Sequence, residues 1–452
     1  MTEQVYSRLD AVSKVKQSAV KRYFNNIEKK LNALQANPEM ANIATKFIDG
    51  FNDTSPSTSS ESLNRFYKES FAPKFKQLNP TDTVSSSLLK QMNPKSIELQ
   101  SRYLANNPNP IGEKQKLTTT EQSDSYEQAH RQYHPYLRDM TNINKFYDIF
   151  IIDPANGNIV YSVYKEVDFA TSLQTGPYAK SNLANLFRQL KDSSNPQKIA
   201  FADYKQYSPS YNAPASFIGK PIVVDGKTVA ILAAQLSIED INSIMKERDG
   251  LGESGETYLV GPEGLMRSDS YIDPKNHSVE SSFRNPNKGT VNTLSVIKAL
   301  KNEKGQHVIN DYNNEMVLSA FAPVNVFNVR WALIAEMDEQ EAFESITTLS
   351  QLLIVILFVT IFIVTIAAYW FARTLTKPIH ALADTMKKVE QQGDFSLRAT
   401  VYSSDEIGVS TQAFNTLLDA LQLSISETNR VMNQMAAGKF DQRIEAPCRG
   451  EL

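Results

Sequence analysis

The stretch Leu352-Leu-Ile-Val-Ile-Leu-Phe-Val-Thr-Ile-Phe-Ile-Val-Thr-Ile-Ala-Ala-Tyr-Trp-Phe371 carries no charge, no proline and no glycine over its 20 residues. At about 1.5 Å per residue a helix over these positions is about 30 Å long, the thickness of a bilayer's hydrocarbon core. A core helix of a soluble protein seldom stays apolar around its whole circumference, so the stretch predicts a membrane-spanning helix over 349–372. Tyr369 and Trp370 suit an interfacial aromatic belt. The flanks set the orientation. Glu336, Asp338, Glu339, Glu341 and Glu344 precede the span, and Arg373, Lys377, Lys387 and Lys388 follow it. Basic residues mark the cytoplasmic side, so residues 1 to about 349 are expected outside the cell's inner membrane and the remainder inside.

An exported domain of this size needs a signal. Met1-Thr-Glu-Gln-Val-Tyr-Ser-Arg8 has neither a signal peptide's apolar run nor a first membrane helix, so the expectation is a chain cut just after an earlier membrane helix. The whole sequence has 452 residues, 47 Lys+Arg against 50 Asp+Glu, a net charge of −3 and one cysteine, Cys448. Such a length predicts roughly two to four domains. The balanced charge argues against a nucleic-acid partner. A single cysteine excludes a disulfide framework and any Cys-based zinc site.

Outward from the span, Val5, Leu9, Val12, Val20, Tyr23, Ile27, Leu31 and Leu34 recur near a 3.6-residue period and predict one long helix over 5–34. The Lys/Arg run around Lys14–Lys30 reads as its solvated face. Further helical pieces fill residues up to 145, the last over about 123–140. At Phe146 the period changes to two. Tyr147–Ile152, the Asp153–Gly157 turn and Asn158–Val163 read as a hairpin. A helix over about 178–192 and strands at 201–204, 215–218, 221–224 and 228–236 follow, and a helix at 238–246 closes a unit over 146–248. A shorter second version occupies 249–340, with a hairpin at 257–268, a helix near 295–300 and strands at 306–311, 316–323 and 331–336. The fold class is therefore α+β, two tandem modules behind a helical part over 1–145.

Beyond the membrane span, Ile379, Leu382, Met386 and Val389 step by 3, 4 and 3, and Ile407, Thr411, Phe414, Leu418, Leu421 and Ile425 step by 4, 3, 4, 3 and 4. Two short heptad seams cannot both be buried by one chain, so they predict a homodimeric parallel four-helix bundle. Gly393-Asp-Phe-Ser-Leu-Arg398 recurs as Gly438-Lys-Phe-Asp-Gln-Arg443 at an offset of 45, which also carries Glu406-Ile407 onto Glu451-Leu452. The region 426–452 therefore reads as the start of a second such unit.

These residues resemble a known family. The region 373–425 is similar to a HAMP signal-relay domain, with Pro378 opening the first seam helix, Gly393 in the connector and Asp405-Glu406-Ile-Gly408 at the start of the other seam helix. Tyr147-Asp-Ile-Phe-Ile-Ile-Asp153, Asp168–Leu173, Thr175–Tyr178 and Leu251–Val260 are similar to double-Cache sensors, in which a long helix leads into two PAS-like modules. The combination is similar to bacterial methyl-accepting chemotaxis proteins. It implies a homodimer, a periplasmic small-molecule ligand and a cytoplasmic chemotaxis kinase and adaptor, with no cofactor and no enzymatic activity. The same front end occurs on histidine kinases and nucleotide cyclases, the alternative reading; a surface adhesin is a third.

In this family the membrane-distal module usually holds the ligand. Tyr161, Asp203, Tyr204, Tyr207, Phe217 and Gln235 are the polar or aromatic residues on or beside its strands, and are the candidate contacts. Many amino-acid-sensing members carry an Arg-x-Trp pair after the first hairpin and an Asp on the last strand. Here Lys165–Tyr178 has neither Arg nor Trp, and Gln235 takes the Asp position, which argues against an ordinary α-amino acid. Gly250-Leu-Gly-Glu-Ser-Gly255 matches GxGxxG but follows a helix and precedes a strand, the reverse of a phosphate-binding loop, so it reads as a linker. His130 and His134 lie four apart on a helix without a third ligand nearby and read as a plain helix face, not a metal site.

Overall fold

A computed structural model of the protein describes residues 2–57, 59–84 and 88–444, and it divides into two units, residues up to 344 and residues from 345 onward. Cys448 and the Glu451-Leu452 end of the sequence repeat lie outside the described residues.

The first unit contains two antiparallel sheets. β1 (Phe146–Ile152), β2 (Ile159–Ser162), β3 (Ala200–Tyr207), β4 (Ala213–Val224) and β5 (Lys227–Leu236) pair in the order β2-β1-β5-β4-β3. β6 (Glu256–Val260), β7 (Gly305–Asn310), β8 (Met316–Val326) and β9 (Val329–Asp338) pair as β6-β9-β8-β7. β4 is one strand where the sequence suggested two. Pro221 is tolerated inside it because the β3 pairing stops at Gly219, so its missing N–H costs no ladder bond on that side. The expected strand at 265–268 reduces to one bridge, between Val260 and Met266.

Alternation divides the first sheet's side chains between two cores. Phe150, Ile152, Phe217, Ile231 and Ala233 pack against Leu183, Leu186, Phe187 and Leu190 of the helix Asn182–Leu190. Ile149, Ile151, Ile218, Leu232 and Ala234 face the other way, into a larger core shared with the N-terminal helices. The helix Thr2–Gln35 contributes Val20, Phe24, Ile27, Leu31 and Leu34 to that core. Phe24 meets Phe201 of the first sheet edge-on at 5.7 Å and Trp331 of the second at 5.4 Å. Contacts of this kind add about 0.5–1.5 kcal/mol each beyond area burial. Lys16 departs from the solvated-face reading: it is 3% exposed, and its ammonium donates to the carbonyls of Ile244 and Glu247, both at 2.6 Å. Those carbonyls end the helix Ile238–Lys246, where unpaired acceptors favour a cation.

β9 runs directly into the helix Glu339–Phe371, which carries the apolar stretch. Among the described residues this is the helix long and apolar enough to cross a membrane. In the second unit Pro378 lies in the first turn of the helix Lys377–Gln392, and Gly393 ends it at φ +63°. The helix Glu406–Ala436 follows, unbroken across position 425. The Asp405 carboxylate accepts the N–H groups of Ile407 and Gly408 at 3.0 and 3.1 Å, which caps this helix. Gly408 is required by space, since a Cβ there would stand 1.8 Å from the Ser403 carbonyl oxygen. The connector is tied back through Ala399 and the Asn415 amide, which exchange bonds of 2.8 and 2.7 Å. Replacing Asp405 by Ala should weaken this helix start, read as a lower thermal midpoint in far-UV circular dichroism of the whole chain. An unchanged midpoint would mean that the cap is idle.

Candidate functional site

A cavity of about 430 Å³ opens at the end of the first sheet where β1 begins and β5 ends. Its walls come from separate parts of the chain: Phe66, Phe71 and Leu104 from the helical segments, Ile111 from a turn between two of them, Tyr147 from β1, Tyr164 to Val167 from the loop after β2, Ser210 and Tyr211 from the β3–β4 turn, and Gln235 from β5. Such a volume falls in the range of small-molecule sites, and the mostly apolar lining with a few polar groups is their usual composition.

The polar groups are few and placed by local structure. The Glu166 carboxylate accepts from the Tyr147 hydroxyl at 3.0 Å and from Ser210 Oγ at 2.5 Å. Burial pushes its pKa up, against the Ser210 and Tyr147 hydrogen bonds and the Lys74 charge. Tyr147 stacks on Tyr164, with centroids 5.2 Å apart. Gln235 is 5% exposed, and its Oε1 has no hydrogen-bond partner among the described residues. Lys74 lies over the Tyr211 ring, 4.9 Å from its centroid.

Of the residues singled out from sequence, Gln235 is the one lining this cavity. Tyr207 and Phe217 lie on the sheet face under the helix Asn182–Leu190, with their rings 4.9 Å apart, and the Tyr207 hydroxyl donates to Asp168 Oδ2 at 2.5 Å. Burial and the nearby Glu166 charge push Asp168 up to about 7, against the Tyr207 bond. Tyr161 and Tyr204 belong to the opposite core. Asp203 faces the second sheet, where it receives Arg267 Nε at 3.0 Å, Arg267 Nη2 at 2.8 Å and Trp331 Nε1 at 3.2 Å. The sequence candidates thus divide among four places.

His130 and His134 are fully buried on their helix, and their rings stack at 4.4 Å. His134 bonds the Tyr161 hydroxyl at 2.6 Å through Nδ1 and the Gln115 carbonyl at 2.7 Å through Nε2, so both nitrogens are engaged. Burial and the Lys165 charge lower its pKa to about 2. Among the described residues no cluster has the makings of a metal site.

Sequence reasoning missed Glu166, Tyr147, Tyr164 and the helical wall. Glu166 stands inside the Lys165–Tyr178 stretch, whose informative residue is an acid and not the arginine or tryptophan of amino-acid sensors.

A cavity-bearing α+β unit thus continues, through a helix long and apolar enough to cross a membrane, into a second unit of paired helical segments. The comparisons are specific: residues 1–346 match the Cache domain and residues 370–423 the HAMP domain, and the chain belongs to the Cache domain family. It is 23% identical over 240 residues to the methyl-accepting chemotaxis protein PscA of Pseudomonas syringae, covering 49% of this chain and 36% of that protein. It is 27% identical over 195 residues to the sensor protein kinase WalK of Staphylococcus epidermidis, covering 42% of this chain and 30% of the kinase. The periplasmic sensory domain of the Campylobacter jejuni chemoreceptor Tlp1 aligns with a TM-score of 0.34 and 12% identity over 51% of this chain and 85% of that domain. The chain spans about a third of the length of the curated relatives it matches. The Cache sensor, the apolar helix and the HAMP domain together fit an inner-membrane receptor.

Proposed function

We propose that this chain is the sensory and relay part of a homodimeric transmembrane chemoreceptor, with the Cache unit in the periplasm and the HAMP helices in the cytoplasm. A small molecule entering the cavity beside Gln235 biases two packings of the sensor. β9 passes the change into the helix Glu339–Phe371, and the HAMP bundle, completed by a second copy, converts it into altered helix packing. The exposed seam residues Ile379, Met386 and Ile425 support that pairing, because one chain leaves them in water. The observation that carries the sensory reading is the cavity with an unpartnered, buried acceptor in its wall. A chemotaxis kinase and adaptor are the expected cytoplasmic partners. The WalK similarity favours the second reading, the sensory half of a histidine kinase.

Ile111 lines the cavity and is only partly buried, so Ile111→Trp should fill the space with little cost to the fold. In cells lacking their own copy, the native gene should restore swimming along a gradient of a molecule that raises the protein's melting temperature, and the Trp variant should lose that response at equal receptor abundance. A full response in the variant would remove the cavity from the mechanism. Ligand-driven phosphorylation without a swimming response would favour the kinase reading.

A further inference from the structure

Taking the cavity as the sensory site, we infer that its ligand is an organic ammonium ion with an apolar body and no carboxylate, its charge set against Glu166 and an N–H group on Gln235 Oε1. Charge decides first. No Lys or Arg nitrogen lies within ion-pair distance of Glu166 among the described residues; its oxygens meet two neutral hydroxyls, at 3.0 and 2.5 Å. A carboxylate has about four lone-pair sites, so acceptor capacity remains for a donor from the cavity. Gln235 adds a second unused acceptor, in a side chain 95% removed from solvent by its 5% exposure. Both side chains therefore present an acceptor to a donor from the cavity.

The cations in the wall are otherwise engaged. Lys165 Nζ is turned to the Ser162 carbonyl at 3.2 Å and His134 Nδ1 at 3.4 Å, and Lys114 Nζ donates to the Asn107 carbonyl at 2.8 Å. Among the described residues the wall holds no arginine to grip a carboxylate through two parallel bonds, and a carboxylate on the ligand would stand beside Glu166. That excludes an α-amino acid on a stronger ground than Gln235 alone. The remaining cation, Lys74, is exposed and rests 4.9 Å from the Tyr211 ring centroid, an ammonium already using one of the aromatic faces. Tyr147 and Tyr164 offer further faces, and ring faces beside a carboxylate attract organic cations. The ammonium of the ligand competes with that of Lys74.

Calorimetry on the full chain in lipid nanodiscs tests this with three probes of one shape: phenethylammonium, hydrocinnamate and phenethyl alcohol. Phenethylammonium should bind and hydrocinnamate should not. Glu166→Gln and Gln235→Leu should each weaken the amine about 10-fold or more, the size of a charge-assisted or desolvated hydrogen bond. Lys74→Met, at an exposed position, should tighten it, which a merely structural lysine would not do. Hydrocinnamate binding as tightly as the amine, an amine affinity indifferent to both Glu166→Gln and Lys74→Met, or no binding by the amine would each overturn the ligand class. Failure of the site itself looks different. Hydrocinnamate or the alcohol binding at least as tightly as the amine, and being lost in Ile111→Trp, keeps the cavity and discards the ammonium, whereas amine binding that survives Ile111→Trp discards the cavity.

Discussion

Asp203→Ala should cost the sensor about 3–5 kcal/mol, the usual consequence of leaving one partner of a buried ion pair alone. The partner is Arg267, 1% exposed, whose guanidinium reaches both Asp203 oxygens through Nε and donates to Oδ2 again through Nη2. Trp331 Nε1 donates to the same carboxylate, so the substitution takes an acceptor from two side chains at once. Glu263 holds Arg267 Nη2 at 2.7 Å, but it is 42% exposed and offsets little of the loss. Asp203→Asn keeps an acceptor and loses the charge, and should fall between the two. The check is urea denaturation of the intact chain with fluorescence of Trp331 as one probe. A loss under about 1 kcal/mol for the alanine variant would show that the two sheets are held together without this pair.

The same residue shows where the sequence stops being legible. Asp203 stands on a strand with polar and aromatic neighbours, which is what a ligand contact looks like in one dimension. Its role is set by Arg267, 64 positions further on, and no local pattern announces that pairing. The strands themselves were readable because alternation is local: the hairpin at 147–163 and the strands at 228–236, 316–323 and 331–336 all reappear within a few residues as β1, β2, β5, β8 and β9. So was the long first helix, from its apolar period. Lys16 broke that pattern because a lysine on a helix face is ordinarily solvated, and only the end of another helix, at Ile244 and Glu247, makes it worth burying. The cavity was illegible for a different reason. Phe66, Leu104, Tyr147, Tyr211 and Gln235 belong to five segments, and the helical part over 54–145 gave no sign that it would roof the first sheet. Gln235 alone was within reach, since it stands on a strand of the first sheet and the family resemblance marked the position.

The linker at 250–255 does not open a helix, in keeping with its place between a helix and a strand, yet the loop does cradle an anion, and the anion is the protein's own. Glu341 Oε1 accepts the Glu253 N–H at 2.8 Å, while Oε2 accepts the Ser254 N–H at 2.7 Å and the Ser254 hydroxyl. Gly252, at φ +70°, lets the backbone come this close, since a Cβ there would stand 2.0 Å from Glu341 Oε1. Glu341 sits in the first turn of the helix Glu339–Phe371, so this clasp joins the loop between the two sheets to the start of the helix bearing the apolar span. Glu341→Ala should lower the local opening free energy by about 2 kcal/mol, since charge-assisted bonds contribute about 1.5–3 kcal/mol each and partial exposure discounts them. Hydrogen exchange should show the Glu253 and Ser254 amides losing protection, with ligand affinity held within about twofold and the cellular response largely lost. Gly252→Ala should reproduce the same separation of binding from response, because it evicts the carboxylate without removing it; a normal response in both variants would sink the relay role. The pH dependence has a definite sign. Partial burial pushes the Glu341 carboxyl up, but the Ser254 and Glu253 hydrogen bonds and the Arg8 charge outweigh it and hold its pKa below the ordinary 4.5. A depressed carboxyl stabilises fully above its unfolded value and loses that contribution as pH falls through the folded one. Amide protection at Glu253 and Ser254 should therefore be flat through neutral pH and collapse only on acidification below about 4.5, and Glu341→Gln should remove that acid limb altogether.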